Sequence, residues 1–170
     1  VAKLIYDMGF DVKRVAFGDP LRENFHDIFP HIPRMPKPVA HYQHFGQAMR
    51  KIDEDIWVKK TIGRLKLEED MLKSAGLKPY SYIFTDVRQP NELAAAKKLG
   101  AVVVKVEARE DIRVSRMLEL HEEITQETLH AHTETIMDVY PYDFILDNNG
   151  TPEELRKNVT ELIYQIQGRK

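Results

Sequence analysis

The chain has 170 residues, with 25 basic and 27 acidic side chains and a formal net charge of -2. This mixed charge disfavours the basic surface that a nucleic-acid polymer needs, and the lack of cysteine excludes disulfides and thiolate metal sites. No apolar run approaches the roughly 18 residues of a membrane span, so we expect a single cytoplasmic domain over 1–170 without a membrane partner.

The first half of the chain begins with a short helix, predicted by the apolar spacing over 1–8. A strand is predicted over 12–17, and Pro20 then begins a helix that runs to about residue 29. Prolines make 31–40 an irregular loop. Two helices follow, over about 42–51 and 54–75, and Asp53 is the expected N-cap of the second.

The second half continues the alternation with strands predicted over 82–86, 101–107 and 144–146. Helices are expected from Pro90 to about residue 99 and over about 110–120. Thr151 and Glu154 form a capping box that begins a last helix, which runs to about residue 167. This order predicts an α/β fold with a parallel sheet covered by helices on both faces.

Acids and arginines follow the predicted strands, at the edge where such folds bind ligands. They are Asp19, Arg22, Asp86, Arg88, Arg113 and Arg116. An acid can hold Mg²⁺ or orient an attacking oxygen, and arginine matches phosphate oxygens, so the combination favours phosphoryl transfer. A turn or helix cap also explains a single strand-end Asp, and a solvated helix face also explains Arg113 and Arg116.

The histidines of the first half allow a metal interpretation, because His41 and His44 have a usable ligand spacing. No nearby acid completes a set, so a place in a ligand pocket or on the surface is favoured for them. Trp57 is expected in the core, on an apolar helix stripe.

Four segments carry a resemblance to a known family. They are VAFGDPLRENFHDIFP (15–30), HYQHFGQAMRKIDEDIWVKK (41–60), YIFTDVRQPNELAAAKKLGAVVVKVEA (82–108) and HTETIMDVYPYDFILDNNGTPEEL (132–155). In this order they resemble the deoxynucleoside monophosphate kinases of phages and bacteria. More distantly, they are similar to dephospho-coenzyme A kinases and animal phosphomevalonate kinases.

The resemblance implies a three-layer P-loop kinase fold that uses ATP and Mg²⁺ to phosphorylate a nucleoside monophosphate. It implies an acceptor-binding region over about 19–75 and a lid over about 117–135. Asp19 would be a base or orienting acid, and Asp86 would act as the Walker B acid through Mg²⁺ and water. Arg22 and Arg50 would bind the acceptor phosphate, and Gln43 and Gln47 would contact the acceptor base or sugar. Arg88 would bind phosphate or support the loop after the strand. Arg113 and Arg116 would bind the transferring phosphates, and Glu134 would lie in or beside the lid.

One departure is the phosphate loop, because no G-x-x-x-x-G-K-[ST] motif occurs in the 170 residues. The family has this loop and the central strand before the helix that here begins near Val1. We therefore expect both to lie upstream of Val1, and these residues by themselves to be a poor kinase. The sequence leaves three alternatives open: another phosphorylated acceptor (phosphomevalonate or dephospho-coenzyme A), a catalytically inert nucleotide-binding protein, and a homodimer.

Overall fold

The computed structural model describes residues 1–119 and 140–168. They form two compact units, an N-terminal unit of Tyr6–Val87 and a C-terminal unit that begins at Arg88, with residues 1–5 divided between them. The described elements, in chain order, are α1 (Ala2–Asp7), β1 (Val12–Ala16), α2 (Gly18–Ile28), α3 (Val39–Ile52), α4 (Ile56–Ser74), β2 (Ser81–Thr85), α5 (Pro90–Lys98), β3 (Val104–Glu107), α6 (Glu110–Glu119), β4 (Phe144–Asp147) and α7 (Pro152–Gly168).

The N-terminal unit contains one pair of parallel strands. β1 pairs with β2 from Val12 opposite Ser81 to Ala16 opposite Thr85. Parallel neighbours need a long connection, and the helices α2, α3 and α4 supply it. Both strands therefore end at the same edge, where the chain turns into α2 after β1 and into the segment 86–89 after β2.

The core of the N-terminal unit is aromatic. Phe17, Phe25 and Trp57 are almost fully buried, and burial of each such side chain contributes about 1.5–3 kcal/mol. Phe17 stacks on Phe84 of β2 at 5.4 Å between ring centroids. Phe45 of α3 lies between Phe25 at 5.6 Å and Trp57 at 5.8 Å. These rings hold the three helices together, and the Phe17–Phe84 stack ties the end of β1 to β2.

The C-terminal unit contains a second parallel pair. β3 pairs with β4 from Val104 opposite Phe144 to Glu107 opposite Asp147. Its buried apolar side chains lie on α5 and α7, at helical spacing, and on β4. They are Leu93, Ala96, Leu146, Val159 and Leu162. The mixed α/β class and the parallel pairing are confirmed, in the form of two separate two-stranded sheets.

Some of the predicted boundaries are wrong by a few residues. α2 begins at Gly18 rather than at Pro20, and α4 begins at Ile56 with Asp55, not Asp53, as its N-cap residue. β3 begins at Val104 rather than at residue 101. Most of the predicted lid, including Glu134, lies outside the described residues.

Membrane crossing needs a long apolar helix, and none of the helices within 1–119 and 140–168 has both the length and the composition.

Candidate functional site

An acid–arginine cluster lies at the carboxyl ends of β1 and β2, and we define it as Arg14, Asp19, Arg22 and Asp86. Arg14 belongs to β1, Asp19 and Arg22 to the first turns of α2, and Asp86 directly follows β2. Because Ala16 is opposite Thr85 in the pair, the two acids that follow these strands are brought together in one unit. The sequence prediction that they meet at one sheet edge is confirmed for Asp19 and Asp86.

Arg14 contacts both acids. Its Nη1 donates to Asp19 Oδ2 at 3.1 Å, and its Nη2 lies 3.6 Å from Asp86 Oδ2. Arg22 Nη2 donates to the other oxygen of Asp19, Oδ1, at 2.5 Å. Both oxygens of Asp19 therefore accept from guanidinium groups. Arg14 was not predicted, because its role depends on the pairing of β1 with β2.

The cluster is accessible to water. The exposed fractions of its side chains run from 31% for Arg22 to 56% for Asp86. Ion pairs this exposed contribute at most about 1 kcal/mol each to stability. The cluster thus does little for the free energy of unfolding, and two positive and two negative charges remain within reach of a ligand.

The two strand ends differ at the residues that carry the acids. Asp86 adopts a left-handed conformation with φ of 55°, which Asp tolerates better than most residues. Gly18 lies under Arg22, since a Cβ at this position would meet Arg22 Nη1 at 3.2 Å. The absence of a side chain at Gly18 therefore leaves room for the Arg22 guanidinium.

The predicted acceptor residues of α3 share one helix face. Gln43, Gln47 and Arg50 are spaced i, i+4, i+7, and the two glutamines are exposed. α3 packs on α2 where Gly46 faces Leu21. Binding of the acceptor base or sugar by the glutamines, and of phosphate by Arg50, stays a prediction.

A pocket of about 390 Å³ lies on another face of α3. Aromatic and aliphatic side chains form most of its wall. Its lining residues are Phe25, Phe29, Ile32, Ala40, His41, His44, Phe45 and Ala48. His41 and His44 lie at this pocket with exposed side chains, and binding of a ligand there stays a prediction. Behind it, buried His26 shares a hydrogen bond with Tyr42 Oη at 2.6 Å.

The predicted arginines of the C-terminal unit have structural contacts. Arg116 Nη1 donates to the carbonyl of Asn148 at 2.8 Å, and its Nη2 to that of Gly150 at 2.9 Å. Arg116 thus clamps the turn after β4, while Arg113 lies one turn away on α6, half-buried. Their contact with transferring phosphates stays a prediction.

Arg88 begins the C-terminal unit with an exposed side chain. Its backbone N–H donates to Glu92 Oε2 at 2.9 Å, so the strand-end segment is fixed through the main chain.

Arg109 lies on the segment before α6 and pairs with Asp111. Their hydrogen bonds raise the pKa of Arg109 and lower the pKa of Asp111. Neither Arg88 nor Arg109 is shown to bind a ligand.

Asp86 suits the Mg²⁺ ion that the resemblance implies. Magnesium prefers oxygen ligands and keeps several waters, and it commonly uses one or two carboxylates together with substrate phosphates. The carboxylate of Asp86 is 56% exposed, so water and a phosphate can reach it. Asp86 offers a single carboxylate, and within the described part of the chain no three His or acidic side chains are grouped to hold a metal ion, so Mg²⁺ binding stays a prediction.

No protein-family model and no curated protein matches the chain.

Proposed function

We propose that the chain acts in ATP-dependent phosphoryl transfer to a nucleoside monophosphate, with a deoxynucleotide as the favoured acceptor. The observation that carries this proposal is the acid–arginine cluster, in which Asp19 and Asp86 follow neighbouring parallel strands and share Arg14. Phosphoryl transfer depends on positioning and on neutralising charge around the moving group. Acids and guanidinium groups at one sheet edge provide both.

Within this proposal, Arg22 binds the acceptor phosphate. Its guanidinium is only 31% exposed and is held by Asp19, and a phosphate oxygen can take over a bond that the carboxylate now accepts. Asp19 then has a free oxygen that can accept the hydrogen of a singly protonated acceptor phosphate and so orient the attacking oxygen. Mg²⁺, when bound near Asp86, supplies positive charge for the phosphates of ATP.

The finer fold proposal is a three-layer kinase-like sheet with helices on both faces. The parallel pairing within each of the strand pairs, β1–β2 and β3–β4, supports it. The long helical connection between β1 and β2 supports it too. Family membership is part of the same proposal and is supported by the segments quoted above.

The test is release of ADP from ATP and Mg²⁺ by the full-length protein, with a panel of ribo- and deoxynucleoside monophosphates. Turnover with at least one of them is expected, and Asp86→Asn lowers kcat by about 100-fold. The control Arg64→Gln breaks an exposed ion pair with Glu23 on the α4 surface and leaves kcat unchanged.

Calorimetric titration of the same monophosphates into the full-length protein separates binding from transfer. Arg22→Gln is expected to weaken acceptor binding by about 10-fold, the value of one charge-assisted hydrogen bond. Binding without ADP release would contradict the kinase proposal and favour a non-catalytic nucleotide-binding protein. Neither binding nor turnover with any monophosphate would remove the substrate assignment altogether.

A further inference from the structure

Arg14 forms a bridge between the two acids of the cluster. It lies in the middle of β1, opposite Ile83 of β2, and its two terminal nitrogens point to different carboxylates. Nη1 is 3.1 Å from Asp19 and Nη2 is 3.6 Å from Asp86. One guanidinium therefore links the residue that follows β1 in α2 to the residue that follows β2.

We infer that Arg14 is the positioning residue that couples the carboxylates of Asp19 and Asp86. Two carboxylates that approach each other repel, and a cation between them removes this cost. A planar guanidinium presents several N–H donors in a fixed fork, whereas the ammonium of lysine is a point charge. The fork sets the direction of both acids at once, which a lysine at position 14 does not do.

The second arginine of the cluster, Arg22, holds Asp19 independently of Arg14. Arg22 holds Asp19 Oδ1 from the same helix, so Asp19 keeps a cationic partner when Arg14 is replaced. Asp86 has its cluster contact with Arg14 across the strand pair, at the longer distance. Loss of Arg14 therefore changes the link between the acids more than it changes the position of Asp19.

This role rests on the proposed function, in which the two acids serve one transfer reaction. Arg14→Gln is then expected to lower kcat by about 10-fold or more while KM for the acceptor stays within about twofold, because the lost contact acts on the transition state. Arg14→Lys keeps the charge and does not restore kcat. Restoration of kcat by lysine would overturn the positioning role, since charge alone would be sufficient.

The decisive experiment does not depend on activity. In the isotope-labelled full-length protein, NMR records the side-chain carboxyl resonance of Asp86 with and without Asp19→Asn. The substitution shifts this resonance in the wild-type background, and the shift falls by at least about half in the Arg14→Gln and Arg14→Lys backgrounds. In the Arg64→Gln background it is kept in full.

An undiminished shift without Arg14, or no shift with it, overturns the inference. Trp57 fluorescence checks that each variant is folded, because this side chain is 2% exposed in the core of the same unit. A chain that shows the Arg14-dependent coupling but no turnover retains Arg14 as the link between the acids and loses the proposed kinase activity. Failure of the Arg14 coupling and failure of the proposed kinase activity are thus distinguishable.

Discussion

At the scale of single residues, Gly46 is the tightest position in the packing of α3 on α2. A Cβ there would lie 2.6 Å from Leu21 Cδ1, and Leu21 is itself buried. Gly46→Ala is expected to cost about 1 kcal/mol net, since overpacking costs about 1–3 kcal/mol and alanine regains about 1 kcal/mol of helix propensity. Urea unfolding followed by Trp57 fluorescence measures the difference.

Gly63 provides the matched control in α4. Nothing lies within 4 Å of a Cβ built at this exposed glycine, so Gly63→Ala is expected to stabilise the chain by about 0.5–1 kcal/mol. Equal effects of the two substitutions in the urea experiment would show that Leu21 does not constrain position 46.

The pair of Lys59 and Asp53 permits a prediction about ionisation. Lys59 Nζ donates to both carboxylate oxygens of Asp53 at 2.8 Å, and this bond lowers the pKa of Asp53 below its ordinary 3.8. Because the folded pKa is depressed, any contribution to stability is present above pH 3.8 and is lost as the pH falls through the folded pKa.

Lys59→Gln is therefore expected to raise the pKa of Asp53 toward 3.8. An NMR titration of the Asp53 carboxyl carbon measures it, and Lys66→Gln, which removes another exposed lysine from α4, leaves the pKa unchanged. A pKa that does not respond to Lys59→Gln would contradict the contact.

At the scale of elements, two helices begin with the same capping motif in different surroundings. At α5, buried Glu92 accepts from the N–H groups of Arg88 and Gln89 at 2.9 and 3.1 Å. At α7, exposed Glu154 accepts from the N–H of Thr151 at 2.7 Å. A buried donor without an acceptor loses more free energy than one that water can reach.

Glu92→Ala is expected to lower the free energy of unfolding by about 2–3 kcal/mol, and Glu154→Ala by about 0.5–1 kcal/mol. Urea unfolding followed by far-UV circular dichroism compares the two variants. The reverse order would show that the hydrogen bonds of Glu92 do not determine the start of α5.

The late start of β3 has a local cause. The apolar run 101–107 predicts a longer strand, but the N–H of Val103 donates to Asp143 Oδ2 and its carbonyl accepts from the N–H of Asp143. A side chain thus replaces the ladder at this end, and the parallel register begins only at Val104. Such a partner, 40 residues away, is not visible in the run itself.

At the scale of the whole molecule, the proposed function predicts which backbone amides a bound ligand protects from hydrogen exchange. Addition of a deoxynucleoside monophosphate is expected to slow amide hydrogen exchange in segments 18–22 and 43–50. The matching nucleoside without phosphate is expected to give less protection in 18–22, because the proposed phosphate contact is Arg22. Protection restricted to segments of the C-terminal unit would contradict the placement of the acceptor.

Most of the secondary structure, and the positions of Asp19 and Asp86 just after predicted strands, followed from local patterns: apolar periodicity, and proline and glycine positions. These signals act over a few residues, so the sequence by itself determined them. Tertiary structure decided the division into two strand pairs, the bridge made by Arg14 and the clamp made by Arg116. Each depends on residues distant in sequence that are brought within hydrogen-bonding reach only by strand pairing and helix packing.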